Sequence, residues 1–167
     1  MSHAARLSLR RLTVADLDVV VAVYGGVPSF FELLIGRREV PREYVRDEML
    51  VGPPGHEKVF LGLDRGGEIV GAADVLPTYP AVGAAWIGVF LVSEAHQRRG
   101  VGRAGVALVE QYAASRGARQ VSLGVELVNA AGRAFWIACG YHPTGELFDT
   151  DVLGTALRAE VLRKQLR

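Results

Sequence analysis

The middle of the chain reads Phe90-Leu-Val-Ser-Glu-Ala-His-Gln-Arg-Arg-Gly-Val-Gly-Arg-Ala-Gly105. An apolar strand runs into a polar elbow, and two arginines precede a glycine-spaced turn that opens a helix. Free N–H groups at a helix start carry the positive end of the helix dipole and bind anions without a dedicated side chain. Gly100 and Gly102 either permit the backbone angles of the turn or let a phosphate approach closely. The stretch therefore predicts a phosphate-binding turn, to which four side chains add donors: Gln97, Arg98, Arg99 and Arg103.

Two known motifs fit this turn. Gly100 to Gly105 matches the dinucleotide fingerprint G-x-G-x-x-G. Gln97 to Gly102 matches Q/R-x-x-G-x-G/A, through which the sequence resembles the GNAT family of acyltransferases that bind acyl-coenzyme A. A dinucleotide turn follows its strand almost directly and has an acidic residue about 20 positions further on. Here a polar segment, Ser93 to Arg99, intervenes and position 120 is Gln, so the surroundings favour the GNAT family.

A second motif lies about thirty residues further along the chain. Asn129-Ala-Ala-Gly-Arg-Ala-Phe-Trp-Ile-Ala-Cys-Gly-Tyr141 resembles the GNAT signature in which Asn opens a helix, an aromatic pair sits at its middle, and Gly plus an aromatic residue ends it. Together with the order of strands and helices, the resemblance covers essentially the whole chain.

Length and composition set the bounds on these interpretations. A chain of 167 residues and 18.0 kDa predicts one domain, residues 1–167. Its 50% hydrophobic and 22% charged residues exclude disorder, and no apolar run approaches the ~20 residues of a membrane span. A net charge of +1 gives no case for nucleic-acid binding. The histidines and the single cysteine, Cys139, show no metal-ligand spacing, and the lone cysteine without a signal-like N-terminus predicts a cytoplasmic protein.

The remaining elements follow from periodicity and from capping residues. A strand over Arg6–Leu12 is followed by a helix that Thr13 and Asp16 begin and Gly25-Gly26 ends. Two short helices come next, then a hairpin around Asp64–Gly67. The two short helices are predicted over Phe30–Ile35 and, within Arg37–Leu50, from near Pro41 onward. The predicted strands are Lys58–Leu63, Glu68–Leu76, Ala84–Val92 and Gln120–Val125, and a strand or short helix is predicted over Ala156–Leu166. One helix runs from the elbow to Gly117, with Val101, Gly105, Leu108 and Tyr112 on one stripe, and another runs from Asn129 to about Cys139.

The resemblance implies an α+β fold with α/β/α layers. Its sheet would be mixed, twisted and mostly antiparallel, and it would be split where the strands ending near Val92 and Val125 splay apart. In the family the pantetheine arm of acetyl-coenzyme A enters that split, and no metal takes part. Carried onto this chain, the cofactor-binding residues would be Leu91 and Val92 through their backbone groups, Gln97, Arg98, Arg99, Gly100, Val101, Gly102, Arg103 and Ala104 around the pyrophosphate, and Asn129 and Trp136 on the other side of the arm.

The implied reaction is direct attack of a primary amine on the thioester through a tetrahedral intermediate. Many family members place a tyrosine on the helix after Asn129 to protonate the departing thiolate, but this chain has Trp136, whose indole N–H is not a useful acid. Tyr141, Tyr112 or water would have to replace it. Glu126 is the first candidate for the base because it lies just beyond a strand that borders the split. The other candidates are Glu94, His96, Asp74 and Tyr79.

These observations predict an N-acetyltransferase that uses acetyl-coenzyme A, or another short acyl-coenzyme A, to acylate an amine. The acceptor would be a small molecule or a peptide, shaped mainly by residues Gly25 to Gly55. In the family a homodimer through the terminal strands is common. Because Trp136 replaces the usual acid, a non-catalytic acyl-coenzyme A-binding protein stays open as an alternative, and so does a nicotinamide-dinucleotide protein.

Overall fold

The computed structural model describes residues 6–167, in which seven strands form one sheet in the order β1-β2-β3-β4-β5-β7-β6. Every neighbouring pair is antiparallel except β4 and β5, which are parallel. The strands are β1 Leu7–Leu12, β2 Val59–Arg65, β3 Glu68–Leu76, β4 Ala84–Val92, β5 Gln120–Glu126, β6 His142–Val152 and β7 Thr155–Gln165. The helices are α1 Leu17–Gly25, α2 Pro28–Ile35, α3 Arg42–Leu50, α4 Val101–Ser115 and α5 Ala130–Ala138, with 3₁₀ turns at Val14–Asp16 and Glu94–His96. This is the predicted mixed, mostly antiparallel α+β fold.

Helices cover both faces of the sheet. One apolar cluster joins α1, α2 and α3 to the side chains of Phe60, Ala72 and Leu91. A second cluster joins α4 and α5 to the opposite face, through residues such as Leu61 and Val121. The sheet therefore forms the middle of three layers, α/β/α.

The sheet opens between β4 and β5. The two strands pair only from Ala84 to Ile87 and from Gln120 to Leu123. Beyond these residues β4 stays on β3 and β5 stays on β7, so the halves of the sheet separate. The predicted splaying near Val92 and Val125 is confirmed, and it leaves a wedge-shaped cleft at the C-terminal ends of both strands.

A β-bulge in β4 shapes one wall of this cleft. The pairing with β3 shifts register between Ala73 and Val75, so two residues of β4 lie opposite Asp74. The alternation of side chains changes with it. Ile87 packs on the α4/α5 side, yet Phe90, three positions later, packs on that side as well. The bulge thus bends β4 away from β5.

Most of the predicted elements are confirmed within about three residues, with two corrections. The chain also forms β6, an exposed edge strand that the sequence interpretation left out. On α4, Val101 and Gly105 are buried as predicted, but Leu108 and Tyr112 are only half-buried, because the buried stripe continues through Val106, Val109 and Ala113 instead. The tail is the strand β7, not a helix. The prediction of one domain over residues 1–167 extends beyond the described residues and stays a prediction.

Over residues 6–167, no single helix is long and apolar enough to cross a membrane. Only the consecutive helical segments Val14–Gly25 and Pro28–Ile35 reach that length and composition together, and they are bent by 74° at the break between them.

Candidate active site

The cleft holds a cavity of about 190 Å³ between β4 and β5. Its walls are the C-terminal halves of these strands, and α1, α2, α3, α5 and β6 close it from the sides. Six aromatic residues contribute to the lining. Tyr24 stacks on Phe31 at 5.7 Å between ring centroids, and Tyr44 meets Tyr24 edge-on at 6.4 Å. The lining residues include Tyr24, Phe30, Phe31, Tyr44, Glu48, Phe90, Leu91, Glu126, Asn129, Trp136 and Asp151.

Two half-buried carboxylates face this cavity, and neither forms an ion pair with a side chain of residues 6–167. Glu126 ends β5, and burial raises the pKa of its carboxyl, while the one hydrogen bond that opposes the shift comes from its own backbone N–H. Glu48 lies on α3, one turn after Tyr44, so both side chains share a face of the helix. Burial raises the pKa of Glu48 too, against the lowering effect of Lys58. Burial therefore destabilises the ionised form of both carboxylates, so each is stabilised when it binds a proton or pairs with a cation.

Asp74 lies beneath the cleft, and its carboxylate binds the backbone at the bulge in β4. It is 2% exposed, and its Oδ1 accepts a hydrogen bond from the backbone N–H of Gly88 at 3.0 Å. Its Oδ2 lies 3.4 Å from the ammonium of Lys58. Burial raises the pKa of Asp74, and the Lys58 charge and these hydrogen bonds oppose the shift. Asp74 therefore fits a structural role, not that of a base that reaches an acceptor.

The other candidate bases are also occupied or distant from the cavity. Glu94 Oε1 accepts from the Ser29 backbone N–H at 2.8 Å, and this bond lowers the pKa of Glu94 while it satisfies the start of α2. His96 lies 3.5 Å from a carboxylate oxygen of Glu68. Tyr79 packs edge-on between His56 and Trp86. None of the three lines the cavity, so Glu126 is the sequence-predicted base that the fold brings to the cleft.

The elbow leads from β4 into α4 as predicted. Ala104 is the first residue of α4 whose N–H bonds back to Gly100, at 3.0 Å, and no side chain caps the helix, so the N–H groups of Val101, Gly102 and Arg103 have no helical partner. Arg98 and Arg99 are exposed, and within residues 6–167 neither forms an ion pair. Unpaired N–H groups at a helix start and exposed guanidinium groups are donors of the kind that bind anions.

The side chains of Gln97 and Arg103 form hydrogen bonds to the backbone of neighbouring elements. Gln97 Nε2 donates to the carbonyl of Val92 at 2.8 Å and thereby ties the elbow to the strand. Arg103 Nη2 donates to the carbonyl of Ala138 at 3.1 Å and joins α4 to α5. Both side chains therefore support the elbow in this structure. The predicted phosphate contacts of Gln97, Arg98, Arg99 and Arg103 stay predictions.

The two glycines of the elbow have different reasons to be glycine. Gly100 has φ +77°, in the left-handed region, and a Cβ there would meet nothing within 4 Å. Gly102 has no such angle, but a Cβ there would lie 3.1 Å from the ring of Phe135. Gly100 therefore serves the turn, while Gly102 lets α4 pack closely on α5.

The alternation of backbone groups along β4 determines which residues direct their N–H and C=O groups into the cleft. Ser93 donates its N–H to the carbonyl of Val70 on β3, at 2.9 Å. Backbone groups of successive residues point to opposite sides, so those of Leu91 also face β3, whereas those of Val92 and Phe90 face the gap toward β5. The backbone groups of Val92 therefore face the gap and those of Leu91 do not, while Leu91 lines the cavity. The predicted contacts of both residues with a cofactor stay predictions.

The start of α5 forms the opposite wall. Asn129 Oδ1 accepts from the Gly132 N–H at 2.9 Å, so Asn129 caps the helix and also lines the cavity. Trp136 lines the cavity but is only 8% exposed, packed among Phe90, Phe135 and Tyr141. Both residues therefore combine a packing role with a surface in the cleft.

The two tyrosines predicted as proton donors lie away from the cleft. Tyr141 is fully buried behind Trp136 and does not line the cavity. Burial, reinforced by the Glu110 charge, raises the pKa of Tyr141. The hydroxyl of Tyr112 accepts from Arg116 Nη1 at 2.8 Å on the outer part of α4. Neither tyrosine lines the cavity. The acid role of Tyr141 stays a prediction, and its hydroxyl does not reach the cleft in this structure.

Tyr24 and Asp151 line the cavity but lie outside the segments that the sequence interpretation assigned to the site. Tyr44 and Glu48 lie, like Phe30 and Phe31, in the acceptor segment Gly25 to Gly55, but the sequence interpretation did not single them out. The spacing of Tyr44 and Glu48, four residues apart on a helix, was the available signal. It shows that the two side chains share a face, but not that this face turns toward the cleft.

No group of three or more His, Cys, Asp or Glu side chains able to hold a metal occurs in the part of the chain that the structure describes. The model of the acetyltransferase (GNAT) family matches residues 28–141. A search of curated proteins found no match.

Solved structures share the whole fold. An acetyltransferase from Thermus thermophilus is 27% identical with a TM-score of 0.77, covering 99% of this chain and 100% of its own. The ribosomal-protein-S18-alanine N-acetyltransferase of Escherichia coli is 16% identical with a TM-score of 0.68, covering 96% and 94%. The GNAT domain of S. lividans PAT is 22% identical with a TM-score of 0.65, covering 95% and 89%.

The chain belongs to the GNAT acetyltransferase family, since the family model spans well over half of it. The resemblance predicted from the elbow and from the Asn129 helix is thereby confirmed. A dinucleotide-binding protein would need a run of parallel strands, whereas β4 and β5 form the one parallel pair in the described sheet. Family and fold together support an acetyltransferase.

Proposed function

We propose that this protein transfers an acetyl group from acetyl-coenzyme A to a primary amine by direct attack. The observation that carries the proposal is the splayed cleft itself, which has the uncapped start of α4 with Arg98 and Arg99 at one end and the unpartnered Glu126 carboxylate at its wall. The positive groups at the start of α4 would bind a pyrophosphate, and the Glu126 carboxylate would bind an amine.

The elbow and α5 would hold the cofactor. Backbone N–H groups of Val101, Gly102 and Arg103 with the guanidinium groups of Arg98 and Arg99 would bind the pyrophosphate. The arm would run along the free edge of β4, at Val92 and Phe90, as an added strand does, with Asn129 and Trp136 on its other side. When bound, acetyl-coenzyme A supplies a thioester whose carbonyl carbon accepts a nucleophile.

Glu126 would make the amine reactive. A free amine has a pKa near ~10 and enters as an ammonium ion, so it must lose a proton before its nitrogen can attack. The raised pKa of Glu126 makes its carboxylate a better base than an exposed glutamate. The nitrogen then bonds to the carbonyl carbon, the C–S bond breaks with its electron pair on sulfur, and the second amine proton leaves to solvent.

No tyrosine is needed for the sulfur. A thiol of pKa ~8.5 leaves as a thiolate without help and takes its proton from water. Backbone N–H groups on the cleft side of β4 would meanwhile hold the negative charge that develops on the carbonyl oxygen. Trp136 in place of the usual acid is thus compatible with turnover.

Replacing both elbow arginines tests the cofactor site. We expect Arg98→Ala/Arg99→Ala to raise KM for acetyl-coenzyme A roughly 10- to 100-fold, since each charged hydrogen bond is worth about 1.5–3 kcal/mol before solvent exposure reduces it. The value of kcat should change much less, because these side chains are remote from the reacting carbonyl. Initial rates of thiol release against acetyl-coenzyme A concentration measure both constants.

A control for net charge is available in the same chain. Arg6 and Arg167 are exposed and lie outside the cleft, so Arg6→Ala/Arg167→Ala removes the same charge and should leave KM within about twofold. Equal KM values for the two double variants would show that the elbow arginines do not bind the cofactor.

The alternative function is acyl-coenzyme A binding without catalysis, which the replacement of the usual tyrosine by Trp136 motivates. It predicts calorimetric binding of acetyl-coenzyme A that depends on Arg98 and Arg99, together with no thiol release from any amine. The proposed acetyltransferase predicts both binding and release.

A further inference from the structure

The acceptor side of the cleft is acidic. Its charged lining residues are Glu48, Glu126 and Asp151, and no lysine, arginine or histidine of residues 6–167 lines the cavity. Asp151 is partly engaged, because its Oδ1 accepts from the Gly154 N–H at 2.8 Å in the β6–β7 turn. Glu48 and Glu126 are the two carboxylates with unused acceptor capacity, and only one of them is needed as a base.

Lys58 does not neutralise Glu48. Its ammonium lies 3.4 Å from Asp74 Oδ2 and donates to the Val51 carbonyl at 3.0 Å. Lys58 stabilises the charge on Glu48 from a distance, yet burial still prevails and the pKa of Glu48 stays raised. A half-buried carboxylate in this condition gains most from a cation that arrives with its own hydrogen-bond donors.

A buried hydroxyl points to the same ligand. Tyr24 lines the cavity and is 2% exposed, and its hydroxyl has no hydrogen-bond partner among residues 6–167. Buried polar groups in folded proteins are almost always paired, so the unpaired hydroxyl of this cavity residue leaves an acceptor and a donor free for a water molecule or a ligand. Burial raises the pKa of Tyr24 strongly, so the group stays a neutral phenol whose oxygen can accept an N–H.

The rings between these groups suit an aliphatic chain. Tyr24, Phe31 and Tyr44 form one continuous aromatic surface, with Glu48 at its α3 end. Methylene groups can lie on the rings, and an ammonium ion can interact with a ring face as well as with the carboxylate.

We propose that the acceptor is a small aliphatic amine that carries a second positive charge, a diamine or polyamine, with one nitrogen at Glu126 for acetylation and the other held by Glu48 and the Tyr24 hydroxyl. This inference rests on the proposed function and adds the substrate class. An acceptor with a carboxylate, such as a free amino acid, would meet like charges in this cavity and be rejected.

The experiment compares two amines of equal length, 1,4-diaminobutane and n-pentylamine, which differ by an ammonium group in place of a methyl group. For wild type we expect kcat/KM for the diamine to exceed that for the monoamine roughly tenfold or more, the value of one charged hydrogen bond. In Glu48→Gln this ratio should fall to within about threefold of one. Tyr24→Phe should lower it by a smaller factor, because a neutral hydrogen bond is worth less.

The matched control is Glu43→Gln, which removes an exposed carboxylate from the same helix outside the cavity and should keep the wild-type ratio. A wild-type ratio near one, or an equal ratio in Glu48→Gln and Glu43→Gln, would overturn the diamine proposal while acetyl transfer stands. If no amine is turned over, the proposed function fails instead. The substrate class is then decided by calorimetry of the two amines with coenzyme A present, where equal affinities overturn it.

Discussion

Glu126→Gln is expected to lower kcat about 10²- to 10⁴-fold with the best amine acceptor, the usual range for losing a general base. The amide keeps the size of the side chain but cannot accept the proton of the incoming ammonium. Binding of acetyl-coenzyme A, measured by calorimetry, should stay close to wild type, because the elbow is untouched. A variant with more than a third of wild-type kcat would show that another group removes the proton.

The pH dependence of the reaction is an independent test of Glu126 as the base. Glu126 must be ionised to act, and burial raises the pKa of its carboxyl, so kcat/KM for the amine should fall on the acid side at a pH above the ordinary glutamate value of ~4.3. This acid limb should be absent from the residual activity of Glu126→Gln.

The same substitution should also change the stability of the fold. A folded-state pKa above the unfolded one means that the ionised group disfavours folding, so Glu126→Gln should gain stability at pH 8, and the gain should shrink as pH falls below that pKa.

Asp74→Ala is expected to cost about 3–5 kcal/mol of unfolding free energy, the range for breaking a buried ion pair. Asp74 is 2% exposed, and its loss leaves the Gly88 N–H and the mostly buried Lys58 ammonium without their carboxylate. Urea denaturation followed by circular dichroism measures the change. A loss below 1 kcal/mol would mean that the bulge in β4 holds without this carboxylate.

A surface aspartate supplies the comparison. Asp18 pairs with Arg42, but its side chain is 86% exposed, so Asp18→Ala should cost less than about 1 kcal/mol. The double variant Asp74→Ala/Lys58→Met should lose less than the sum of its single variants, because removing both members leaves no uncompensated charge. Full additivity would indicate that the two groups do not interact.

The sequence was most informative where local chemistry decides the structure. The apolar run Ala84–Val92, the glycine at position 100 and the Asn129 cap each depend on near neighbours, and each lies where it was predicted. The hairpin at Asp64–Gly67 is of the same kind, with Asp64 accepting from the Gly67 N–H at 2.7 Å. β6 was missed because it is an exposed edge strand, interrupted around Gly145, with little apolar alternation to reveal it.

Features that depend on tertiary contacts left little trace in the sequence. The bulge at Gly88 was hidden because β4 is apolar at nearly every position, so a shift of one residue changes no pattern. Glu48 and Tyr24 lie far apart in the chain and become cavity residues only when α1 and α3 pack on the same face of the sheet. The burial of Tyr141 behind Trp136 is likewise a property of the packed core.

The most direct test of acetyl transfer is thiol release from acetyl-coenzyme A by the purified protein, with the acetylated amine identified by mass spectrometry. The amines would be 1,4-diaminobutane, n-pentylamine, a free amino acid and a lysine-containing peptide. An acetyltransferase predicts thiol and N-acetyl product in equal amounts from at least one amine, at a rate that Glu126→Gln lowers about 10²- to 10⁴-fold. Calorimetric binding of acetyl-coenzyme A without product from any of the four would contradict it and identify a binding protein.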